Sequence, residues 1–240
     1  MPLEDYRQFR QRVEALKQQF CLKLFDENRQ SIQIKKEKTI AKNMERIFTA
    51  ALKISNEKGF HAMTMRDLSR EAGMSTGALY NYFAGKEELL RLMQQQRRTI
   101  AREILSADIA AGRDPLEKLR IAIRTHLYLS EVLQPWFYFS YMEAKNLDPE
   151  ERRAAVQSEL NTERQFKEIL KEGCALGLFQ AEDCQLTASL IKAMLQDWYL
   201  KRPKHARRGV EVGRYARYLT AFLEKNLRVN NAPPRQGENG

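Results

Sequence analysis

Apolar side chains recur every three or four residues along most of the chain, and no segment shows the strict apolar–polar alternation of a half-buried strand. Residues 40–58 are an example, because their apolar positions form one stripe that Gly59 ends. The stripe contains Ile40, Met44, Ile47, Phe48, Ala51 and Leu52. This period is typical of an amphipathic helix with one buried face. The pattern therefore predicts an all-α protein.

Residues 63–83 predict two short helices around a sharp turn, which is a helix-turn-helix. Thr64 is placed to cap the first helix, because a hydroxyl can accept a hydrogen bond from a free amide of the first turn. Gly73 lies where the chain leaves that helix, and glycine adopts a left-handed conformation at little cost. Ser75 or Thr76 can cap the second helix in the same way as Thr64.

The second helix is expected to bury Leu79 and Phe83 and to leave small and polar residues outside. Small residues at the start of an exposed helix let its backbone approach base edges in the major groove of DNA. The residues predicted to be exposed are Thr76, Gly77, Tyr80, Asn81 and Tyr82. The alternative is an ordinary helical hairpin, but such a hairpin has no need for exposed aromatic residues beside small ones.

Residues 40–92 resemble the DNA-binding domain of the TetR family of bacterial transcriptional regulators. The likeness rests on Gly59-Phe60, Thr64-Met65-Arg66-Asp67-Leu68, residues 73–83 from Gly73-Met74-Ser75 to Tyr82-Phe83, and Lys86-Glu87-Glu88-Leu89-Leu90. In that family, the position of Arg66 can read a guanine, the positions of residues 76–78 face bases, and later positions hold phosphate and sugar. The DNA contacts that we expect are Thr64, Arg66, Ser75, Thr76, Gly77, Ala78, Tyr80, Asn81, Tyr82 and Lys86.

The resemblance implies a small three-helix DNA-binding domain followed by a larger helical domain for ligand binding and dimerisation. We assign residues 37–88 to the first domain and residues 89–229 to the second. Residues 230–240 are rich in Pro, Gly and Asn, which predicts a disordered tail.

Residues 1–36 are an addition to the usual family pattern. Their apolar residues recur at alternating steps of three and four, which predicts an amphipathic helix; these residues are Tyr6, Phe9, Val13, Leu16 and Phe20. The helix can pack on its own subunit, clasp the other subunit, or carry Lys35, Lys36 and Lys38 toward DNA. We favour packing, with the basic end near phosphate as a secondary role.

The composition agrees with a protein that binds a polyanion. The formal net charge is +10 and the pI is near 9.5, which favours phosphate surfaces through counterion release. No secretory signal or membrane-length apolar stretch occurs in the sequence, so we expect a cytoplasmic protein without a membrane partner.

The residue types that carry enzyme or metal chemistry do not form a recognisable motif. The three cysteines, Cys21, Cys174 and Cys184, have no CxxC spacing, so we predict no metal site and no disulfide framework, and a redox role stays open. We also expect no cofactor and no catalytic residues.

Residues 136–142 are the densest aromatic run, and they can form either core or a ligand pocket. In the family, inducers enter at this place, so the expected ligand contacts are Trp136, Phe137, Tyr138 and Tyr141. The C-terminal half is loosely similar to family members that sense acyl-CoA. A basic group could hold CoA phosphates or could be a solvated corner; it comprises Lys201, Arg202, Lys204, Arg207 and Arg208.

Two long helices are predicted near the C-terminus, over residues 184–201 and 207–227. Their apolar stripes can form a four-helix seam between two subunits, as the family resemblance implies, or serve the core of one subunit. The expected dimer contacts are Leu190, Met194, Trp198, Tyr215, Leu219 and Phe222. A two-fold dimer is favoured because one short reading helix contacts too few bases for useful specificity.

These expectations combine into a dimeric transcriptional regulator, in this family most often a repressor, that binds a palindromic operator in duplex DNA and responds to a small hydrophobic effector such as an acyl-CoA. The alternative is a DNA-binding regulator without a small ligand, controlled by a protein partner or by its N-terminal helix. A roomy cavity beside residues 136–142 would favour the first.

Overall fold

The computed structural model describes residues 5–27 and 37–228, and it confirms the all-α fold class. None of these residues forms a named strand, and no helix among them is both long enough and apolar enough to cross a bilayer. The helices are α1 (Tyr6–Glu27), α2 (Glu37–Lys58), α3 (Met65–Ala72), α4 (Thr76–Tyr80), α5 (Lys86–Ala110), α6 (Pro115–Val132), α7 (Gln134–Glu143), α8 (Pro149–Ala175), α9 (Cys184–Leu200), α10 (Arg202–Arg207) and α11 (Val212–Leu227).

Two hydrophobic cores organise these helices. The smaller core joins α2, α3 and α4 to the first turns of α5, and it includes Phe48, Leu68, Leu79, Phe83 and Leu89. The larger core joins the second half of α5 to α6, α8, α9 and α11, and it includes Ile104, Leu127, Phe166, Leu195 and Leu219. Helix α5 therefore contributes to both cores.

Helix α1 packs on its own chain, against α2, α5 and α6. Phe9 and Val13 are buried in the larger core. Nη1 and Nη2 of Arg12 donate to the Asp108 carboxylate, at 3.1 and 2.9 Å. Since α2 belongs to the smaller core and α6 to the larger, α1 bridges the two. Residues 28–36 and the side chain of Lys38 lie outside the described part of the chain, as does the predicted tail at 230–240.

A local sequence signal, a capping residue followed by proline, marks the start of α6. Asp114 accepts a hydrogen bond from the Glu117 amide at 2.8 Å, and Pro115 is the first residue of α6. The prediction of one helix over residues 207–227 is wrong. Residues 202–207 form the separate helix α10, and Gly209 has a left-handed φ of 61°, so α11 begins only at Val212.

Two of the three cysteines approach each other, which their sequence spacing did not indicate. Cys174 lies at the end of α8 and Cys184 begins α9. Burial raises the pKa of the Cys184 thiol, and its contact with Cys174 raises it further. Cys21 is buried instead, and burial raises the pKa of its thiol to about 12. All three are free thiols in this structure.

Candidate functional site

Caps that the sequence predicted hold the start of α3 and the turn between α3 and α4. Thr64 Oγ1 accepts from the Asp67 amide at 3.1 Å, and Asp67 Oδ2 accepts from the Thr64 amide at 2.9 Å. Gly73 has a left-handed φ of 62°, and Ser75 Oγ accepts from the Ala78 amide at 3.1 Å. Of the two candidate caps for α4, Ser75 is therefore the one used.

Further contacts from α2 hold this unit, and sequence reasoning missed them. Arg46 donates to the carbonyl oxygens of Ala72 and Gly73, at 2.7 and 3.2 Å, and so satisfies carbonyl groups that the end of α3 leaves free. Lys58 donates to Asp67 at 2.8 Å, and this bond is the main reason that the pKa of Asp67 lies well below its usual value. Both cations lie on the polar side of α2, where sequence offers no signal for their partners.

Nine of the ten expected DNA contacts are at least partly accessible in the described structure. Thr64, Arg66, Ser75, Gly77, Tyr80 and Asn81 are exposed, and Thr76, Ala78 and Lys86 are half-buried. Lys86 Nζ donates to the His61 carbonyl at 2.8 Å and lies 5.5 Å from the centre of the Phe60 ring. The exposed residues Thr64 and Arg66 lie at the start of α3, and the other four lie within α4 or at its ends.

The expected exposure of Tyr82 is wrong. Its side chain is only 2% exposed, and its hydroxyl accepts a hydrogen bond from Asn43 Nδ2 at 2.7 Å. The physical reason is that α4 ends at Tyr80, so the helical period that placed residue 82 outside no longer applies there. Tyr82 therefore packs the reading unit onto α2.

Helix α7 contacts the smaller core with one face. The Trp136 ring lies 5.3 Å from Phe48 of α2, and the Phe139 ring lies 5.6 Å from Phe60, in both cases edge to face. Phe137 and Tyr141, four residues apart on another face of α7, border a cleft. Trp136 and Tyr138, the other two expected ligand contacts, line neither of the two cavities beside α5 and α8. The helical period of α7 separates residues that form one run in the sequence.

Two cavities meet beside α7. We call the first the polar cavity; it measures about 270 Å³ and lies among α5, α6, α7, α8 and α9. We call the second the apolar cleft; it measures about 510 Å³ and lies among α5, α7, α8 and α9. Both are bordered by Arg97, Phe137 and Glu159, so the two spaces adjoin. Together they provide the room that a small effector requires.

The comparisons with known proteins agree with this architecture. Residues 47–93 match the family described as "Bacterial regulatory proteins, tetR family", and residues 112–200 match the "Tetracyclin repressor-like, C-terminal domain". The chain belongs to the TetR family. It is thus a DNA-binding transcriptional regulator, and the curated relatives that it matches are transcriptional regulators as well.

Individual relatives are distant. The HTH-type transcriptional regulator HbdR of Aromatoleum sp. (strain CIB) is 24% identical over 164 residues, covering 68% of this chain and 72% of that protein. A TetR-family regulator from Rhodococcus RHA1 is similar in structure, with a TM-score of 0.70 and 22% identity over 79% of this chain and 99% of that one. AibR, solved with isovaleryl coenzyme A and operator DNA, has a TM-score of 0.66 and 18% identity over 75% of this chain and 97% of that one. At these identities, the two structures support the fold alone.

The basic corner at the start of α10 differs from the expected mouth for CoA phosphates. Arg202 forms an ion pair with Glu131 at 2.8 Å, and Asp197 pairs with Lys201 at 2.9 Å and with Lys204 at 2.6 Å. None of these three cations borders the polar cavity or the apolar cleft. The corner therefore fits the alternative of a solvated helix junction.

The apolar stripes of α9 and α11 divide between core and surface. Trp198 is fully buried and Leu219 is 5% exposed, so the expectation that these two reach a second subunit is wrong. Trp198 instead donates to Glu131 at 3.0 Å within its own chain. Met194 and Tyr215 are half-buried. The large apolar residues that stay exposed on these helices are Leu186, Leu190, Tyr218 and Phe222.

Proposed function

We propose that this regulator acts in the cytoplasm as a homodimeric repressor, and that a small hydrophobic effector releases it from a palindromic operator. The observation that carries the proposal is the position of α7. One face of this helix packs on α2 and the loop before α3, and another face borders the apolar cleft. A ligand in the cleft thus contacts an element that also positions the reading unit.

The dimer is supported by the exposed residues of α9 and α11. Leu190 is 57% exposed and Phe222 is 47% exposed, and Leu186 and Tyr218 precede them by one helical turn. A second copy of this chain is the expected occupant, because two-fold symmetry matches one such surface with another and presents two reading helices about one turn of DNA apart.

An acyl-CoA is the first candidate effector. AibR, a structural neighbour of this chain, binds isovaleryl coenzyme A, and the apolar cleft offers Phe137, Val156 and Tyr199 to an acyl chain. An effector changes operator affinity only by its differential affinity for two arrangements of the protein. A coupling free energy of about 1–3 kcal/mol would lower operator affinity roughly 5–150-fold.

The second candidate is a regulator without a small ligand, in which α1 or a protein partner controls the reading unit. The observation in its favour is that α1 contacts α2 as well as α5 and α6. In this case a bound ligand has no effect on the operator, whereas removal of α1 changes operator affinity.

One set of measurements tests the proposal. Sedimentation gives the subunit number, and footprinting on DNA from around the protein's own gene is expected to give a discrete, roughly palindromic site. Acyl-CoAs of several chain lengths are then titrated into the protein–DNA complex. A monomer with and without DNA would contradict the dimer, and an operator affinity that no acyl-CoA changes would contradict acyl-CoA as the effector.

A further inference from the structure

Three basic side chains are buried around the polar cavity. Arg97 of α5 is 9% exposed, His126 of α6 is 6% exposed, and Lys192 of α9 is 4% exposed. Burying a charged group is costly unless a charged or polar partner compensates it. The partners of these three groups therefore decide what the cavity accepts.

Carboxylates compensate only part of this positive charge. Glu159 forms an ion pair with Lys192 at 2.8 Å, and the neighbouring Arg98 pairs with Glu151 at 2.8 Å. No carboxylate within residues 5–27 and 37–228 forms an ion pair with Arg97, whose Nε has no hydrogen-bond partner there. Its guanidinium lies over the Phe137 ring at 5.4 Å. Glu159 thus compensates Lys192 directly, whereas Arg97 has no ion-pair partner among the described residues.

Besides Arg97, His126 is a basic residue at the cavity with a buried nitrogen that lacks a hydrogen-bond partner in the described structure. Burial, followed by the charges of Lys192 and Arg97, lowers the pKa of His126 well below its usual value. The imidazole is therefore neutral, and its Nδ1 has no hydrogen-bond partner in the described structure. Burial also lowers the pKa of Arg97 and of Lys192. The surroundings of the cavity therefore disfavour positive charge, and a bound anion would stabilise the charged forms of these side chains.

The apolar cleft beside the polar cavity offers a different chemistry. Phe137, Met142 and Val156 provide apolar surface. Gln94 Nε2 and Ser140 Oγ also border it, are buried, and lack hydrogen-bond partners among the described residues. A molecule that spans both spaces meets positive charge at one end and apolar surface with two polar groups at the other.

We infer that Arg97, His126 and Lys192 bind the anionic group, a carboxylate or a phosphate ester, of an amphipathic small molecule whose apolar part lies in the cleft against Phe137 and Val156. Arginine suits both anions because its planar guanidinium can donate two parallel hydrogen bonds. Within the proposed function, this anion is the effector, but its binding can be measured without DNA.

The place of Arg97 on α5 connects this site to the reading unit. Lys86 begins α5, and Arg97 follows eleven residues later, a distance of about 16 Å along a helix. Between them, Leu89 and Met93 are buried in the smaller core. An anion that changes the position of Arg97 therefore acts on a helix that the reading unit also packs against.

The first experiment needs no ligand. Arg97→Met is expected to raise the thermal midpoint of the free protein by about 2–4 °C, because it removes a buried charge without an ion-pair partner. The matched variant Arg98→Met, also on α5, breaks the ion pair with Glu151 of α8 and is expected to lower the midpoint. If the thermal midpoint falls as much for Arg97→Met as for Arg98→Met, the inference that Arg97 binds an anion is overturned.

The second experiment measures binding to the full chain by calorimetry. The probes are hexanoate, hexyl phosphate, hexanoyl-CoA and the uncharged hexanamide. We expect one of the two simple anions to bind at least 10-fold more tightly than hexanamide, and Arg97→Met to remove this preference. Arg91→Met, on the same helix but outside both cavities, is expected to bind as the original protein does. If hexanoate binds more tightly than hexyl phosphate, the anionic group is a carboxylate; if hexyl phosphate binds more tightly, it is a phosphate ester.

The outcomes separate this site from the proposed function. Equal affinity for hexanoate, hexyl phosphate and hexanamide, or no binding of any of them, would overturn the anion site. Preferred binding of hexanoyl-CoA that Arg97→Met leaves unchanged would also overturn it, while acyl-CoA stays as the effector. An anion that binds through Arg97 and leaves operator affinity unchanged would support the site and contradict its role as effector.

Discussion

Two glycines of the reading unit offer a test that separates folding from DNA contact. Gly73 ends α3 with a φ of 62°, and a Cβ at this position would lie 3.0 Å from a guanidinium nitrogen of Arg46. Gly77 is the second residue of α4, is exposed, and a Cβ there would meet nothing within 4 Å. Alanine at the two positions therefore changes different properties.

The expected magnitudes follow from backbone preferences. Gly73→Ala should lower the free energy of unfolding by about 1–2 kcal/mol, because a left-handed conformation costs that much for a residue with a Cβ. Gly77→Ala should raise it by up to about 1 kcal/mol, because alanine favours a helix more than glycine does. The methyl group added by Gly77→Ala would keep the backbone of α4 away from the base edges. If this steric conflict costs about 1–3 kcal/mol, operator affinity falls roughly 5–150-fold.

Urea denaturation measures the first quantity, and fluorescence anisotropy with labelled operator DNA measures the second. The expected result is that Gly77→Ala is at least as stable as the original protein and binds DNA more weakly, whereas Gly73→Ala is less stable than the original protein. A Gly77→Ala protein that binds its operator with unchanged affinity would refute the close approach of this backbone to DNA.

Three further predictions concern single side chains. Lys86→Ala should weaken binding to all DNA sequences similarly and lower the number of counterions released on binding by about one, whereas Arg66→Ala should change the preference among bases. Affinities measured over a range of salt concentrations and DNA sequences test both roles, and identical effects of the two variants would contradict them. Tyr82→Phe should lower the free energy of unfolding by about 1 kcal/mol, since Asn43 loses its acceptor, and a changed salt slope would instead indicate a phosphate contact. Leu190→Asp should convert the dimer to monomers in sedimentation, and an intact dimer would place the interface elsewhere.

Local signals explain which parts of the structure were predictable. The cap at Thr64 and the helix end at Gly73 depend on residues within one turn, and the sequence located both correctly. Tyr82 and Trp198 were misplaced for different reasons. Tyr82 follows the end of a helix of five residues, so the helical period no longer predicts its exposure. Trp198 lies on an apolar stripe of α9, and it is buried because side chains of α10 and α11 pack against its ring.

The polar cavity was not predicted because its residues come from five helices. Residues 94–98 are a polar run in the sequence, which is typical of an exposed segment, yet Gln94, Gln96 and Arg97 are buried. Their spacing does contain a signal. Leu89, Met93, Arg97 and Ile104 recur along one buried side of α5, so an arginine occupies a position where the pattern calls for an apolar residue.

Such an exception carries a physical meaning. A buried cation on an apolar stripe destabilises the free protein unless something compensates it, and positions that break a local rule are expected at functional sites. Two explanations are available for Arg97: a carboxylate of its own chain, or a ligand. Glu159 is the nearest candidate of the first kind, but it pairs with Lys192 at 2.8 Å. Since the polar cavity opens beside Arg97, the structure favours the second explanation, and the stability of Arg97→Met decides between them.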